Sequence, residues 1–517
     1  MSERLGPHDL AMWAGESVDT PSHNATIEIF DPGDSGFSYQ SLVTLIAERI
    51  AFVPRYRQRI VAVPGGLANP VWIDDTRFDL AYHVRRSALP RPGSSEQLRE
   101  LVARIVSRPL DRNRPLWEVY FVEGLADGRV AVLSKSHQVL VDGVHTVDLG
   151  QVLLDVTPER KHLEYDEWRP EREPSAAGLV AAAVTDTVEH PLVAIDTLRG
   201  RVDALGRAAV GVGSLAGGIF GAMTQRRPEA PTPINKPLSQ QRRFVPVRTE
   251  LADYRTVRRV HGGTVNDVVL ATVTGALRGW LMTREESMGG LRRLRAIVPM
   301  SVIDDDLEPT SLGTQVTGCH VELPIGEPSP LVRLHQVGYS FDAHARTGRA
   351  VAANRLAGIA GFAPTTFHAL GSRVAAREIE RHDFHLAVTN VPGPQFPLYA
   401  AGARMMETYP VPPLVDGHAL AIGVTSYDGG VYYGITADRD ALPDVDVLGQ
   451  CLVEALDELV ESATDTRRRA PRGRTPSTGR AGRGTARTKQ TGKAPRSTQE
   501  PAARKTVRTP ARPEEEK

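Results

Sequence analysis

The stretch from Arg129 to Leu154 constrains the fold of this chain more than any other. Arg129 to Leu133 (RVAVL) is apolar and β-branched and reads as a strand, Asp142-Gly143 supplies turn chemistry, and Val144 to Leu154 has a helical pattern. A strand-to-helix corner of this kind belongs to an α/β layout and lets the residues between, Ser136-His137-Gln138-Val139-Leu140-Val141-Asp142-Gly143, reach into a cleft. A histidine placed there, neutral near pH 7, is able to take a proton from an alcohol, although a lone histidine in such a run is more often structural. The Asp142 carboxylate reads as a brace for the loop.

Further phrases flank this corner in a fixed order. Upstream lie Leu5-Gly6-Pro7-His8-Asp9, Pro54-Arg55-Tyr56-Arg57-Gln58-Arg59, Phe78-Asp79-Leu80 with His83-Val84, and Pro109-Leu110-Asp111-Arg112-Asn113-Arg114-Pro115-Leu116-Trp117-Glu118 before a strand expected over Val119 to Val122. Downstream lie Thr264-Val265-Asn266-Asp267-Val268-Val269, Asn390-Val391-Pro392-Gly393-Pro394 and Gly423-Val424-Thr425-Ser426-Tyr427. Taken together, these phrases resemble the bacterial wax ester synthase/diacylglycerol acyltransferase family, within the chloramphenicol acetyltransferase and condensation-domain superfamily, over roughly residues 5 to 460.

The resemblance implies an α/β fold of two chloramphenicol-acetyltransferase-like domains facing each other across a central channel. It implies an O-acyltransferase that uses acyl-CoA to esterify diacylglycerol, giving triacylglycerol, or a long-chain alcohol, giving a wax ester. In that family the corner reads His-His-x-x-x-Asp-Gly, with Asp142 and Gly143 in the closing positions, and the second histidine is the general base; here that position is Gln138. A glutamine amide accepts no proton at neutral pH, and a placed general base is worth about 10²- to 10⁴-fold in rate, so slow transfer is expected unless another group substitutes. His137 and His145 are the candidates. In a continued strand His137 points away from Gln138. His145, in a first helical turn, is either a relocated base kept neutral by the helix N-terminus or an exposed residue paired with Asp148. The family's Pro-x-Ser-x-Arg phrase appears as Pro299-Met300-Ser301-Val302-Ile303 without its arginine, and its Gly-Asn pair as Gly313-Thr314.

Gly262-Gly263-Thr264 reads as a turn before an apolar helix, Val268 to Leu281, with Thr264 as N-cap. The resemblance implies that Asn266, with Asp267 and Thr264 beside it, shapes the substrate site; the alternative is helix capping alone. Trp117 and the Arg112/Arg114 pair would suit a nucleic-acid surface. Asp111 and Glu118 balance them, however, which favours internal ion pairing.

The 517 residues suffice for two domains, and 41% hydrophobic with 24% charged residues is ordinary for a globular chain. Two cysteines, Cys319 and Cys451, are too few for a disulfide framework or a metal cluster. With no Gly-rich nucleotide loop either, the expectation is no metal and no cofactor beyond acyl-CoA as cosubstrate. The charged start MSERLGPHDLAMW does not read as a secretory signal, so the expected location is cytoplasmic, with a peripheral place at the inner membrane or a lipid droplet.

Four segments are expected: a domain over 1–165 carrying the corner, a connector over 166–243, a second α/β domain over 244–462, and a disordered basic tail over 463–517. Expected elements include strands at Thr26 to Phe30, Leu294 to Pro299, Gln315 to Leu323 and Phe384 to Thr389, helices at Tyr39 to Ala51 and Glu96 to Ser107, and a hairpin over Ala419 to Ala437 around Asp428-Gly429-Gly430. In the connector, Ala208 to Thr224 is uncharged but too short and Gly-rich for a membrane span; it reads either as a hairpin resting on lipid or lining an acyl-chain tunnel, or as a plain linker. Lys/Arg and Asp/Glu each total 62, yet 16 of the former and 4 of the latter follow Thr466, leaving 46 and 58 in the body. A basic tail without aromatics attracts anionic lipid or nucleic acid, but the body supplies no nucleic-acid reading motif. The function expected is therefore acyl transfer, the alternative being a catalytically impaired relative that binds lipid or lipid droplets.

Overall fold

Strand pairing in the computed structural model brings distant parts of the chain into two six-stranded sheets, over residues 3–140, 149–159, 168–189, 232–284, 290–302, 315–345 and 384–469. The first sheet is built around β1 (His23–Asp31), flanked by β6 (Val130–His137) and then β5 (Trp117–Glu123) and β4 (Val84–Ala88). A small separate hairpin pairs β2 (Gln58–Val61) with β3 (Val71–Asp74). The second sheet runs β7 (Arg242–Glu250), β14 (Gly430–Asp438), β13 (Leu420–Tyr427), β10 (Leu386–Pro392), β8 (Leu294–Val302) and β9 (Gln315–Leu323). Its helices include Val265–Thr283 and Val445–Arg469.

The other edge of the first sheet comes from the far end of the chain. β12 (Ala403–Val411) pairs antiparallel with β1, Ala25 opposite Val411, and β11 (Tyr399–Ala400) extends it. The second domain expected over 244–462 thus contributes two strands to the sheet of the first. The connector expected over 166–243 contains a helix, Ala176–Glu189, and ends inside β7, while the last helix continues past 462 to Arg469. Ala208 to Thr224 and residues 470–517 lie outside the described residues.

Local sequence explains the elements themselves. In β6 the apolar run Val130–Val132 packs into the core, and in the helix Ser95–Val106 the buried Leu98, Val102, Ile105 and Val106 follow helical spacing behind a Ser94/Gln97 capping box. Asp428 and Gly429 both take positive φ, 42° and 86°, the two-residue turn that suits the twist of the β13–β14 hairpin. At Gly434 a Cβ would lie 1.6 Å from the Pro410 carbonyl oxygen, so only glycine lets β14 pass this close to β12. Among the described residues no helix is long and apolar enough to cross a membrane.

Candidate active site

The corner that dominates the sequence ends β6. The strand stops at His137, and Gln138–Leu140 form one 3₁₀ turn with all three residues buried. Two backbone bonds fix it: the His137 N–H donates to Leu116 O (2.9 Å) and the Gln138 N–H to Ser22 O (2.9 Å). The turn is thereby tied to the Pro115-Leu116-Trp117 phrase on one side and to the entry of β1 on the other. Because the strand ends here, strict alternation does not carry on to Gln138. Asp142, Gly143 and His145 lie outside the described residues; of the helix expected over Val144 to Leu154, the described part is Leu149–Leu153.

Both ring nitrogens of His137 have structural neighbours. Nδ1 accepts the Val139 N–H at 3.1 Å, which leaves the ring proton on Nε2, 3.4 Å from Glu16 Oε2. Glu16 is buried and engaged on every side: Arg112 donates to Oε2 through Nε (3.0 Å) and Nη2 (2.6 Å), and the Ser22 N–H donates to Oε1 (2.9 Å). Burial pushes the Glu16 carboxyl up, and His137 and Arg112 more than offset this, holding it down at about 2. The Arg112 guanidinium also lies 4.2 Å from the centre of the Trp13 ring and donates to the Trp13 carbonyl, while Trp13 meets His137 edge-on. His137 anchors the corner, its Nδ1 lone pair taken up by the Val139 N–H.

Of the ion pairing expected around Trp117, the Arg114–Asp111 pair is local, while Arg112 and Glu118 find partners farther along the chain. Arg112 pairs with Glu16, Arg114 with Asp111 at 3.5 Å, and Glu118 with Arg85 at 3.0 Å and Lys135 at 3.9 Å. Trp117 is buried, its indole N–H donating to Tyr56 O at 2.7 Å, and its ring stacks 4.6 Å from His83. His83 stacks on its other side against Phe78 and donates from Nδ1 to Trp117 O at 2.7 Å; burial lowers its pKa to about 4. Three separated phrases of the sequence meet in this one stack.

The pleat sorts the residues near the corner into two faces. His23 opposite His137, together with Lys135, lies toward the end of the helix Ser95–Val106: His23 Nε2 donates to Val106 O (2.9 Å) and Lys135 Nζ to Ile105 O (3.2 Å) and Arg108 O. Burial lowers His23 well below its ordinary value and Lys135 to about 8. The other face carries Asn24 opposite Ser136 and Thr26 opposite Ser134. Asn24 is 3% exposed, and neither its Nδ2 nor its Oδ1 has a hydrogen-bond partner.

On the second sheet, Thr264 and Asp267 form a capping box: Thr264 Oγ1 accepts the Asp267 N–H (3.1 Å) and Asp267 Oδ2 accepts the Thr264 N–H (2.7 Å). These two expected substrate-binding groups are therefore occupied within the helix start. Asn266, between them in sequence, is oriented differently: its Oδ1 accepts a hydrogen bond from Asn390 Nδ2 at 2.8 Å, which joins the phrases around residues 266 and 390 and leaves the Asn266 amide N–H groups as donors. Reading the sequence missed Glu16 and Asn24 and gave Asn390 no role. Only Asn24 left a local signal, an asparagine inside an otherwise β-favouring strand.

The wax ester synthase/diacylglycerol acyltransferase catalytic domain matches residues 5–269, and the C-terminal domain of the same proteins matches 312–460. The chain belongs to this family. Among its relatives, a Mycobacterium tuberculosis protein named "Probable diacyglycerol O-acyltransferase tgs1" is 32% identical over 84% of this chain and 90% of its own length. Another from the same organism, "Probable diacyglycerol O-acyltransferase tgs3", is 42% identical over 50% of this chain and 96% of its own. The solved wax ester synthase/diacylglycerol acyltransferase from Marinobacter aquaeolei VT8 aligns over 89% of this chain and 100% of its own, with a TM-score of 0.60 and 25% identity. The first condensation domain of the calcium-dependent antibiotic synthetase shares the fold, with a TM-score of 0.51 and 13% identity over 90% of this chain and 97% of its own. The protein is an acyltransferase of this family, acting on an acyl donor and an acyl acceptor, with two chloramphenicol-acetyltransferase-like α/β halves.

Proposed function

We propose that the protein transfers the acyl group of a long-chain acyl-CoA to the free hydroxyl of diacylglycerol, forming triacylglycerol, with a long-chain alcohol as the second acceptor class. The likeness to relatives named for diacylglycerol acylation, at 32% identity over most of both chains, carries this reading. The acceptor oxygen attacks the thioester carbonyl, the tetrahedral oxyanion collapses, and the C–S bond breaks; the hydroxyl proton ends on the CoA thiol. The Asn266 amide, held by Asn390, is a preorganised donor suited to that oxyanion. Acyl-CoA is the cosubstrate, and the reading includes no further cofactor.

Transfer is slow on this reading, because Gln138 stands where the family holds its base and His137 is committed to Val139 and Glu16. The same observation favours a second reading, a lipid- or droplet-binding relative without turnover. Release of CoA from palmitoyl-CoA, measured with dioleoylglycerol or hexadecanol as acceptor, decides between them. Product above a no-enzyme control supports the transferase; vesicle binding without product supports the second reading.

A further inference from the structure

We propose that Asn24 is a specificity-determining contact that favours diacylglycerol over a plain long-chain alcohol. This rests on the acyl-transfer reading. Asn24 stands near the entry of β1, two residues after Ser22, whose carbonyl accepts the Gln138 N–H, and opposite Ser136, two residues before Gln138. It lies on the face of the sheet turned away from His137, His23 and Lys135, whose polar atoms hold the neighbouring helix and Glu16. A buried carboxamide with both ends unpartnered is unfavourable for the fold, and an aliphatic residue would suit this strand better. Ser134, next along the same face, also has an unpartnered buried hydroxyl, and so does Thr408 on β12, whose partner across the pairing is Glu28. The polar atoms form a line that starts at the corner.

A carboxamide offers one donor and one acceptor side by side. Diacylglycerol presents the matching pair: a free hydroxyl that donates, next to an ester carbonyl that accepts. The hydroxyl donates to Asn24 Oδ1, and the adjacent ester carbonyl accepts from Nδ2. A fatty alcohol has the hydroxyl but no ester, so it engages only one end and leaves the amide N–H buried and unpaired.

Asn24→Leu tests this, because it removes both polar atoms at nearly constant size, and thermal unfolding checks that the fold is kept; Asn24→Ala replaces it if the leucine does not fold. The readout is the ratio of kcat/KM for dioleoylglycerol to that for hexadecanol, which damage to the fold would leave unchanged. The ratio is expected to fall by about tenfold, the value of one hydrogen bond. An unchanged ratio, or an equal loss with both acceptors together with a raised KM for palmitoyl-CoA, overturns the proposal. If the native protein turns over neither acceptor, the acyl-transfer reading fails by itself, and equilibrium binding of the two lipids is compared instead. A lowered preference for dioleoylglycerol in the variant then upholds the role of Asn24, and an unchanged preference overturns it.

Discussion

On the proposed reading, a single functional group at Gln138 separates slow from fast transfer. Its amide donates and accepts hydrogen bonds but takes no proton near neutral pH, whereas an imidazole there would. The turn that carries it is fixed by backbone bonds to Leu116 and Ser22, which a change of side chain at 138 leaves in place. Gln138→His is expected to raise the rate of CoA release by about 10²- to 10⁴-fold. An unchanged initial rate would show that the native protein takes the proton with another group. Gln138 was legible in the sequence because its neighbours spell out the rest of the motif. Glu16 was not, because its meaning comes from Arg112 at 96 residues' separation and from His137 beyond that. One acidic residue in a charged N-terminal stretch gives no local signal of a buried network.

At the scale of elements, the start of the helix Val265–Thr283 holds Asn266 against the end of β10. Thr264→Ala removes the cap and is expected to cost about 1 kcal/mol in chemical unfolding. Asn390→Ala acts differently: it unfixes the Asn266 amide without touching the helix cap, so kcat should fall while the unfolding midpoint moves little. Asn266→Ala should lower kcat further, and the reverse order would exclude Asn390 as a positioning residue acting through Asn266. Most elements were legible because their signals are local. The expected bounds of Gln315 to Leu323 match β9, the Asp-Gly turn marks the β13–β14 hairpin, and Thr264 reads as an N-cap. The insertion of β12 beside β1 was not legible, since nothing in either strand encodes the pairing of Ala25 with Val411.

Across the molecule, the buried groups His23, His83 and Glu16 make stability depend on pH in the same direction. His83 is neutral in its stack, with a pKa lowered to about 4, and Glu16 is ionised in its network, with a pKa lowered to about 2. In each case the unfolded chain binds a proton more readily than the folded one, so stability rises with pH across the window between the two values. For His83 the contribution is complete above about pH 6.5 and is lost as pH falls toward 4; for Glu16 it is complete above about 4.5 and is lost toward 2. The His83 window comes first on acidification and amounts to on the order of 3 kcal/mol. His83→Phe keeps an aromatic ring between Phe78 and Trp117 but removes the titration. Urea unfolding from pH 7 to 4.5 should show native stability falling steeply while the variant, less stable at pH 7 for lack of the bond to Trp117 O, falls by less, the remaining slope being that of His23. Because that stack joins the segments around Tyr56, Phe78 and Trp117, its protonation should unfold the first sheet cooperatively rather than fray one loop. Parallel pH curves for the two proteins would assign the acid sensitivity to other groups.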